Sequence, residues 1–207
     1  MKQTFLNYSI KWITKYNPSY NEEQIEQLQY GLEGLYLTIT KLIIISILAL
    51  LLGIFKEMII VLLFFNIIRY PAFGFHADRS ITCLLFSATL FLALPYIMLH
   101  VTMTFPIKIV LTGLCLIAFA LWAPADTPKR PLTNVRKRRI RKFASISFAI
   151  IYTIAIFSIK DTIISQLILA AFLIEGIMIC PITYKIFHQP FNNYKKCISS
   201  WFKYKSI

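Results

Sequence analysis

His76 and Cys83 are the two side chains of this chain best suited to covalent chemistry. Both lie in the polar, Gly/Pro-punctuated stretch Arg69-Tyr-Pro-Ala-Phe-Gly-Phe-His-Ala-Asp-Arg-Ser-Ile-Thr-Cys83, between two strongly apolar runs. An imidazole beside a thiol can take its proton and remain as imidazolium next to the thiolate nucleophile. On a straight helix, seven residues put two side chains on one face but about 10 Å apart along the axis, too far for a hydrogen bond. The pair works only if His76 sits in a loop folded back over a helix that begins near Ser80. Pro71 and Gly74 are expected to break any helix before His76, and Asp78 or Ser80 can N-cap the next one. With Ser80 as the cap, Cys83 is the third helical residue, where free amides and the helix dipole favour a thiolate. The residues alone leave open a plainer reading, an inert cysteine and a histidine among lipid headgroups.

The elements that must position this pair are membrane helices. Of the 207 residues 57% are hydrophobic, mean hydropathy is +0.66, and the apolar residues come in long blocks. That excludes a soluble domain, and six Gly with nine Pro exclude a fibrous or disordered class. The expected fold class is all-α: a polytopic integral membrane protein of about six transmembrane or re-entrant helices plus an N-terminal amphipathic interfacial helix, forming a single domain over 1–207. The net charge of +13 sits beside apolar spans, so membrane lipids account for it and no nucleic acid partner is expected. Cys83, Cys115, Cys180 and Cys197 show no CxxC spacing and read as reduced thiols. The first ten residues lack the apolar core and cleavage site of a removed signal peptide. No metal site and no cofactor are expected, because His100 belongs at the opposite face from His76 and His188 is isolated in the tail.

Six apolar segments can be read: Leu35–Ile54, Met58–Ile68, Ile81–Leu99, Ile107–Trp122, Phe143–Ile159 and Ile163–Ile182. The second spans roughly 16 Å against a hydrocarbon core of about 30 Å, so it is either a re-entrant half-helix or a crossing extended by Phe55 and Tyr70. If all six cross with both termini inside, eighteen of the 22 Lys and Arg fall on the cytoplasmic side. This bias predicts a bacterial plasma-membrane protein with His76 and Cys83 facing the cytoplasm.

The regions between spans carry the remaining candidates. Residues 1–34 are read as a cytoplasmic amphipathic region, with Phe5, Trp12, Ile13 and Tyr16 near one helical face. Pro18 ends that helix, and a second, polar one opens at Asn21-Glu-Glu-Gln and leads into the membrane helices of 35–182. Residues 123–142 form a basic cytoplasmic loop and 183–207 a basic tail. The Lys129–Lys142 cluster reads as a topology signal and lipid anchor, or as a docking surface with Lys129 and Arg130 on an acidic substrate segment. Glu22, Glu23, Glu26 and Glu33 make the only acidic patch, which pairs with basic loop residues or receives a basic substrate helix. Arg69 clamps a substrate carboxylate or marks the cytoplasmic boundary. Glu175 lies within the last span, and an acid there is a functional or paired group. Lys41 reaches a similar depth in the first span, so Lys41 and Glu175 form a candidate ion pair, with separate snorkelling as the alternative.

The pattern Arg69-x4-Gly74-x-His76-Ala77-x2-Ser80-x2-Cys83 resembles the signature of the accessory gene regulator B (AgrB) family, membrane cysteine peptidases that process a quorum-sensing propeptide. The family carries two glycines before the x-His, and here Phe73 occupies the first. Ala123-Pro124-Ala125-Asp126-Thr127 followed by Lys129-Arg130-Pro131 is similar to the family's central cytoplasmic loop. Tyr30-Gly31-Leu32-Glu33 and Lys41 match with lower specificity. The likeness covers nearly the whole chain.

The resemblance implies Cys83 as nucleophile and His76 as general base and acid, with Arg69, Gly74, Asp78 and Ser80 in the supporting loop. It implies an AgrD-like propeptide as substrate and a homodimer as the assembled form. Cys83 would attack a peptide carbonyl, His76 would protonate the departing amine, and an internal thiol or hydroxyl of the precursor would displace the enzyme to close a thiolactone or lactone. Thioester exchange is close to energy-neutral, so ring closure needs positioning and exclusion of water rather than ATP. The competing reading is a non-catalytic transporter or export component with Glu175 and Lys41 as its polar pathway.

Overall fold

The computed structural model describes residues 2–17, 19–75, 80–127 and 132–194. All regular structure among them is helical, as lipid demands of a chain whose backbone groups must be satisfied within the segment. The chain is an all-α polytopic membrane protein. It divides into two compact units, residues 1–51 and 52–207.

The first unit holds α1 (Lys2–Tyr16) and α2 (Glu22–Leu51). The polar helix and the first span expected as successive pieces are one uninterrupted helix of thirty residues, about 45 Å long. Its start is a reciprocal cap: Asn21 Oδ1 accepts from the Gln24 amide at 2.8 Å, and Gln24 Oε1 accepts from the Asn21 amide at 3.0 Å. Helix α1 packs on α2 through Phe5 against Tyr36, ring centroids 5.3 Å apart. Tyr8, Trp12 and Tyr16 stay exposed.

The second unit contains α3 (Phe55–Ala72), α4 (Ser80–Ala88), α5 (Leu94–His100), α6 (Phe105–Trp122), α7 (Val135–Ser158), α8 (Thr162–Ile179) and the short α9 (Pro181–Ile186). A π-helical turn, Thr89–Ala93, joins α4 to α5. It stands just before Pro95, whose ring nitrogen has no hydrogen to give the preceding turn. Helix α8 is the centre: thirteen of its eighteen residues are buried, and α3, α5, α6 and α7 pack around it.

Among the described residues, five helices are long and apolar enough to cross a membrane: Glu22–Leu51, Ile81–His100, Phe105–Trp122, Val135–Ser158 and Thr162–Ile179. Helix α3 falls outside this set only through its charges, Lys56, Glu57 and Arg69. With eighteen residues it measures about 27 Å, well beyond the roughly 16 Å read for Met58–Ile68.

Two boundaries differ from expectation in ways that bear on the site. Pro71 does not end α3 but lies inside its last turn, and the chain leaves the helix at Phe73. Helix α7 begins at Val135, with Asn134 Oδ1 accepting from the Lys137 amide at 3.1 Å. The basic residues 136–142 are therefore two helical turns rather than loop.

Candidate active site

The chain between α3 and α4 is built by three local rules. Helix α3 stops because Phe73 adopts φ 61° and ψ −130°, a region that favours glycine and strains a residue with a side chain. Gly74 follows at φ +120°. The segment then runs beside Ala123–Asp126, which enters through a cis Ala123–Pro124 bond. The Gly74 amide donates to the Ala125 carbonyl and the Ala125 amide to the Ala72 carbonyl, both at 2.9 Å. The Phe75 amide donates to the Met178 carbonyl at the end of α8, at 2.8 Å. Two motifs fifty residues apart in sequence thus meet as a two-segment bridge.

Phe75 is buried and anchors an aromatic cluster. Its ring stacks on Phe187 at 4.6 Å and meets Phe86 and Tyr184 edge-on at 5.8 and 5.7 Å. Phe86 lies three residues after Cys83 on α4, which puts both on one helical face. The half-buried Cys83 packs against the same core as Phe86 and Phe187. Helix α4 includes Ser80 as its first residue, so Cys83 is the fourth helical residue rather than the third and remains in the first turn.

Behind the loop sits an ion pair. Arg69 Nη1 lies 3.2 Å from Glu175 Oε2 and 3.1 Å from Met178 Sδ, while Nη2 donates to the Phe75 carbonyl at 2.8 Å. Glu175 is 0% exposed and Arg69 23%, and the Arg69 guanidinium also lies 5.2 Å from the Phe65 ring. A Cβ on Gly74 would stand 3.1 Å from both Arg69 Nη1 and Glu175 Oε1. Glycine is required here by close approach as well as by φ.

The companion segment is held as firmly. Buried Asp126 accepts from the amides of Asn193 at 3.0 Å, Tyr194 at 2.8 Å and Leu132 at 3.3 Å. The Tyr184 hydroxyl donates to the Ala125 and Asp126 carbonyls at 3.3 Å. Burial pushes that hydroxyl well above the ordinary tyrosine value, with Arg69 opposing and Asp126 and Glu175 reinforcing the shift, so it stays a donor. From the start of α7, Arg141 covers the Phe73 ring at 4.2 Å and donates to the Tyr70 carbonyl at 2.9 Å. Arg138 lies 3.2 Å from the centre of the Tyr194 ring. These two cations of the basic run are committed to the protein itself.

The residues singled out in the sequence fall into three groups. Arg69, Gly74, Glu175 and, within one aromatic cluster of them, Cys83 are brought together. His76, Asp78, Lys129 and Arg130 lie outside the described residues, as does the side chain of Ser80. Glu33 and Lys41 belong to the first unit, where Glu33 pairs with Lys2 at 2.6 Å.

Glu175, expected to be a paired group, is ion-paired with Arg69. Matching depths in two spans selects a plane of the bilayer, whereas α3 is the helix that packs most extensively on α8. The Arg69 guanidinium is directed at Glu175 and the Phe75 carbonyl. Phe75 and Met178 carry no sequence signal, for no local pattern marks a carbonyl or a ring as a contact, and Arg141 is legible only as part of the basic run. The Ala-Pro-Ala-Asp motif was the one signal that pointed to Asp126.

Helix ends that clamp a loop beside a first-turn cysteine define a polytopic membrane protein with its polar machinery gathered at one end of a helical bundle. The chain belongs to the accessory gene regulator B family, whose model matches residues 6–179, and so to the accessory gene regulators of quorum sensing. It is 34% identical over 159 residues to the accessory gene regulator protein B of Staphylococcus aureus strain Newman, covering 77% of this chain and 83% of that one. A putative AgrB-like protein of Clostridium acetobutylicum is 32% identical over 185 residues, 87% of each chain. One from Listeria innocua is 30% identical over 177 residues, covering 85% of this chain and 86% of its own. No solved structure matches.

Proposed function

We propose that the protein is a membrane cysteine endopeptidase that cleaves an AgrD-like propeptide and promotes its cyclisation. The observation that carries this reading is the contact of Phe75 with Phe86 at 5.8 Å. The residue immediately before His76 is thereby packed on the α4 face that bears Cys83, as a folded-back histidine requires. The sequence signature in Arg69–Cys83 and the family membership add to it.

In this mechanism His76 takes the Cys83 proton, and the helix start stabilises the thiolate that forms. The sulfur attacks a peptide carbonyl of the precursor, the C–N bond breaks, and His76 returns the proton to the departing amine. The N-terminal part stays as a thioester on Cys83. A thiol or hydroxyl within it attacks that thioester, freeing Cys83 and closing the ring. Lys129, Arg130 and Glu33 are the proposed contacts for charged segments of the precursor, and the working form is a homodimer. The positive bias of the loops supports a cytoplasmic position for His76 and Cys83. The transport reading loses its main support, because Glu175 is wholly buried and ion-paired instead of lining a polar path.

The test uses purified protein in liposomes with a precursor of about fifty residues carrying a central Cys or Ser. Wild type should trap a hydroxylamine-sensitive thioester on Cys83. Processing at the normal rate by Cys83→Ala or His76→Ala would overturn the peptidase reading.

A further inference from the structure

We infer that Arg69 and Glu175 are positioning residues for His76, acting through the peptide unit that joins Phe75 to His76. This inference rests on the assignment of His76 and Cys83 proposed above. The Phe75 carbonyl accepts from Arg69 Nη2 at 2.8 Å, and it belongs to the same planar unit as the His76 amide nitrogen. Its orientation therefore constrains where the chain departs toward His76. The preceding amide is fixed too, by the Met178 carbonyl at 2.8 Å. One peptide earlier, Gly74 is bonded to Ala125. The clamp is thus the last link of a chain of contacts that ends at the Phe75 carbonyl.

Glu175 supplies the other half of the clamp. Arg69 would be free to follow solvent or headgroups if nothing held its guanidinium inward; the carboxylate at 3.2 Å does that from the centre of the bundle. The two guanidinium nitrogens have separate tasks, Nη1 on Glu175 and Nη2 on Phe75. A planar fork with fixed angles can do both at once, whereas an ammonium is a point charge on a flexible stem. The vacant space at Gly74, 3.1 Å from both partners, lets the loop lie directly against the pair. The pair acts through position and not as part of the reacting set.

The experiment compares full-length wild type, Arg69→Lys, the charge-neutral double variant Arg69→Gln/Glu175→Gln, and His76→Ala, all in proteoliposomes. Two quantities are read: kcat and KM for precursor cleavage, and the pH profile of iodoacetamide alkylation at Cys83, followed by peptide mapping so that other cysteines do not interfere. Arg69→Lys keeps the charge beside Glu175 but gives up the fork. The double variant leaves no unpaired buried charge, so it remains informative if Arg69→Lys does not fold.

Both variants should cut kcat by about tenfold to a hundredfold, the cost of an ångström-scale misplacement, with KM unchanged. Their alkylation profiles should move toward that of His76→Ala. Wild-type kcat and a wild-type profile in both variants, with His76→Ala still shifted, would overturn the positioning role and leave the dyad standing. A His76→Ala profile identical to wild type would overturn the dyad and the positioning role with it.

Discussion

Among the described residues, two ion pairs of the same chemistry stand in very different settings. Lys2 and Glu33 meet at 2.6 Å, with side chains 42% and 38% exposed; Arg69 and Glu175 meet at 3.2 Å, with the carboxylate wholly buried. The shorter distance belongs to the weaker interaction. Exposed pairs are screened and must hold two long side chains still, so they contribute about 0–1 kcal/mol. A buried pair has already lost its water, and removing one partner strands the other charge at a cost of about 3–5 kcal/mol. The difference teaches that only the inner pair can act as a machine part, since only there does the protein depend on both members.

The largest break in this comparison should come from Glu175→Ala. It leaves Arg69 facing a cavity, and an unfolding transition followed by SDS titration and circular dichroism should show a loss of about 3–5 kcal/mol. Gly74→Ala comes next. Its Cβ would press on both members of the pair and would adopt a φ near +120°, together costing about 1–3 kcal/mol by the same titration. A loss under half a kcal/mol would show that the pair yields freely.

Phe73 sharpens the picture further. Its glycine-like backbone is strained, but its ring is covered by Arg141 at 4.2 Å, a contact worth about 0.5–1 kcal/mol. Phe73→Ala keeps the strain and drops the contact, so it should be less stable than wild type by about 1 kcal/mol. Phe73→Gly removes both and should be the more stable of the two variants. The reverse order would rule out strain at this position.

Tyr184 tests the companion segment by pH. Its hydroxyl proton is held more tightly in the folded protein than in the unfolded chain. Its contribution is therefore complete below the ordinary tyrosine value near 10 and is lost as pH rises above it. Tyr184→Phe should abolish that part of the alkaline destabilisation, measured between pH 9 and 11. Lys2→Ala marks the small end of the scale, with a change under about 1 kcal/mol that shrinks further in high salt.

Much of the architecture was legible because apolar blocks and the cost of unpaired backbone in lipid leave few solutions. Spans one and three to six were located to within a few residues on their apolar parts. The misses cluster at polar ends: α7 starts eight residues before Phe143, and α3 continues through Pro71. Hydropathy registers lipid contact but is blind to helix that continues into polar surroundings. The two motifs of the site were each visible, yet no pattern in either says that Ala125 pairs with Gly74.

The amino-acid order alone was sufficient for an all-α membrane protein, for a break at Gly74, and for a cysteine in the first turn of α4. These follow from local steric rules and from the period and length of apolar runs. Which cation answers Glu175 was beyond it. Depth along a helix can be counted from the chain, but the direction a residue faces depends on which helix lies alongside. Only the packing of α3 against α8 turned Arg69 toward Glu175 and laid the carbonyl of Phe75 within reach of its second nitrogen.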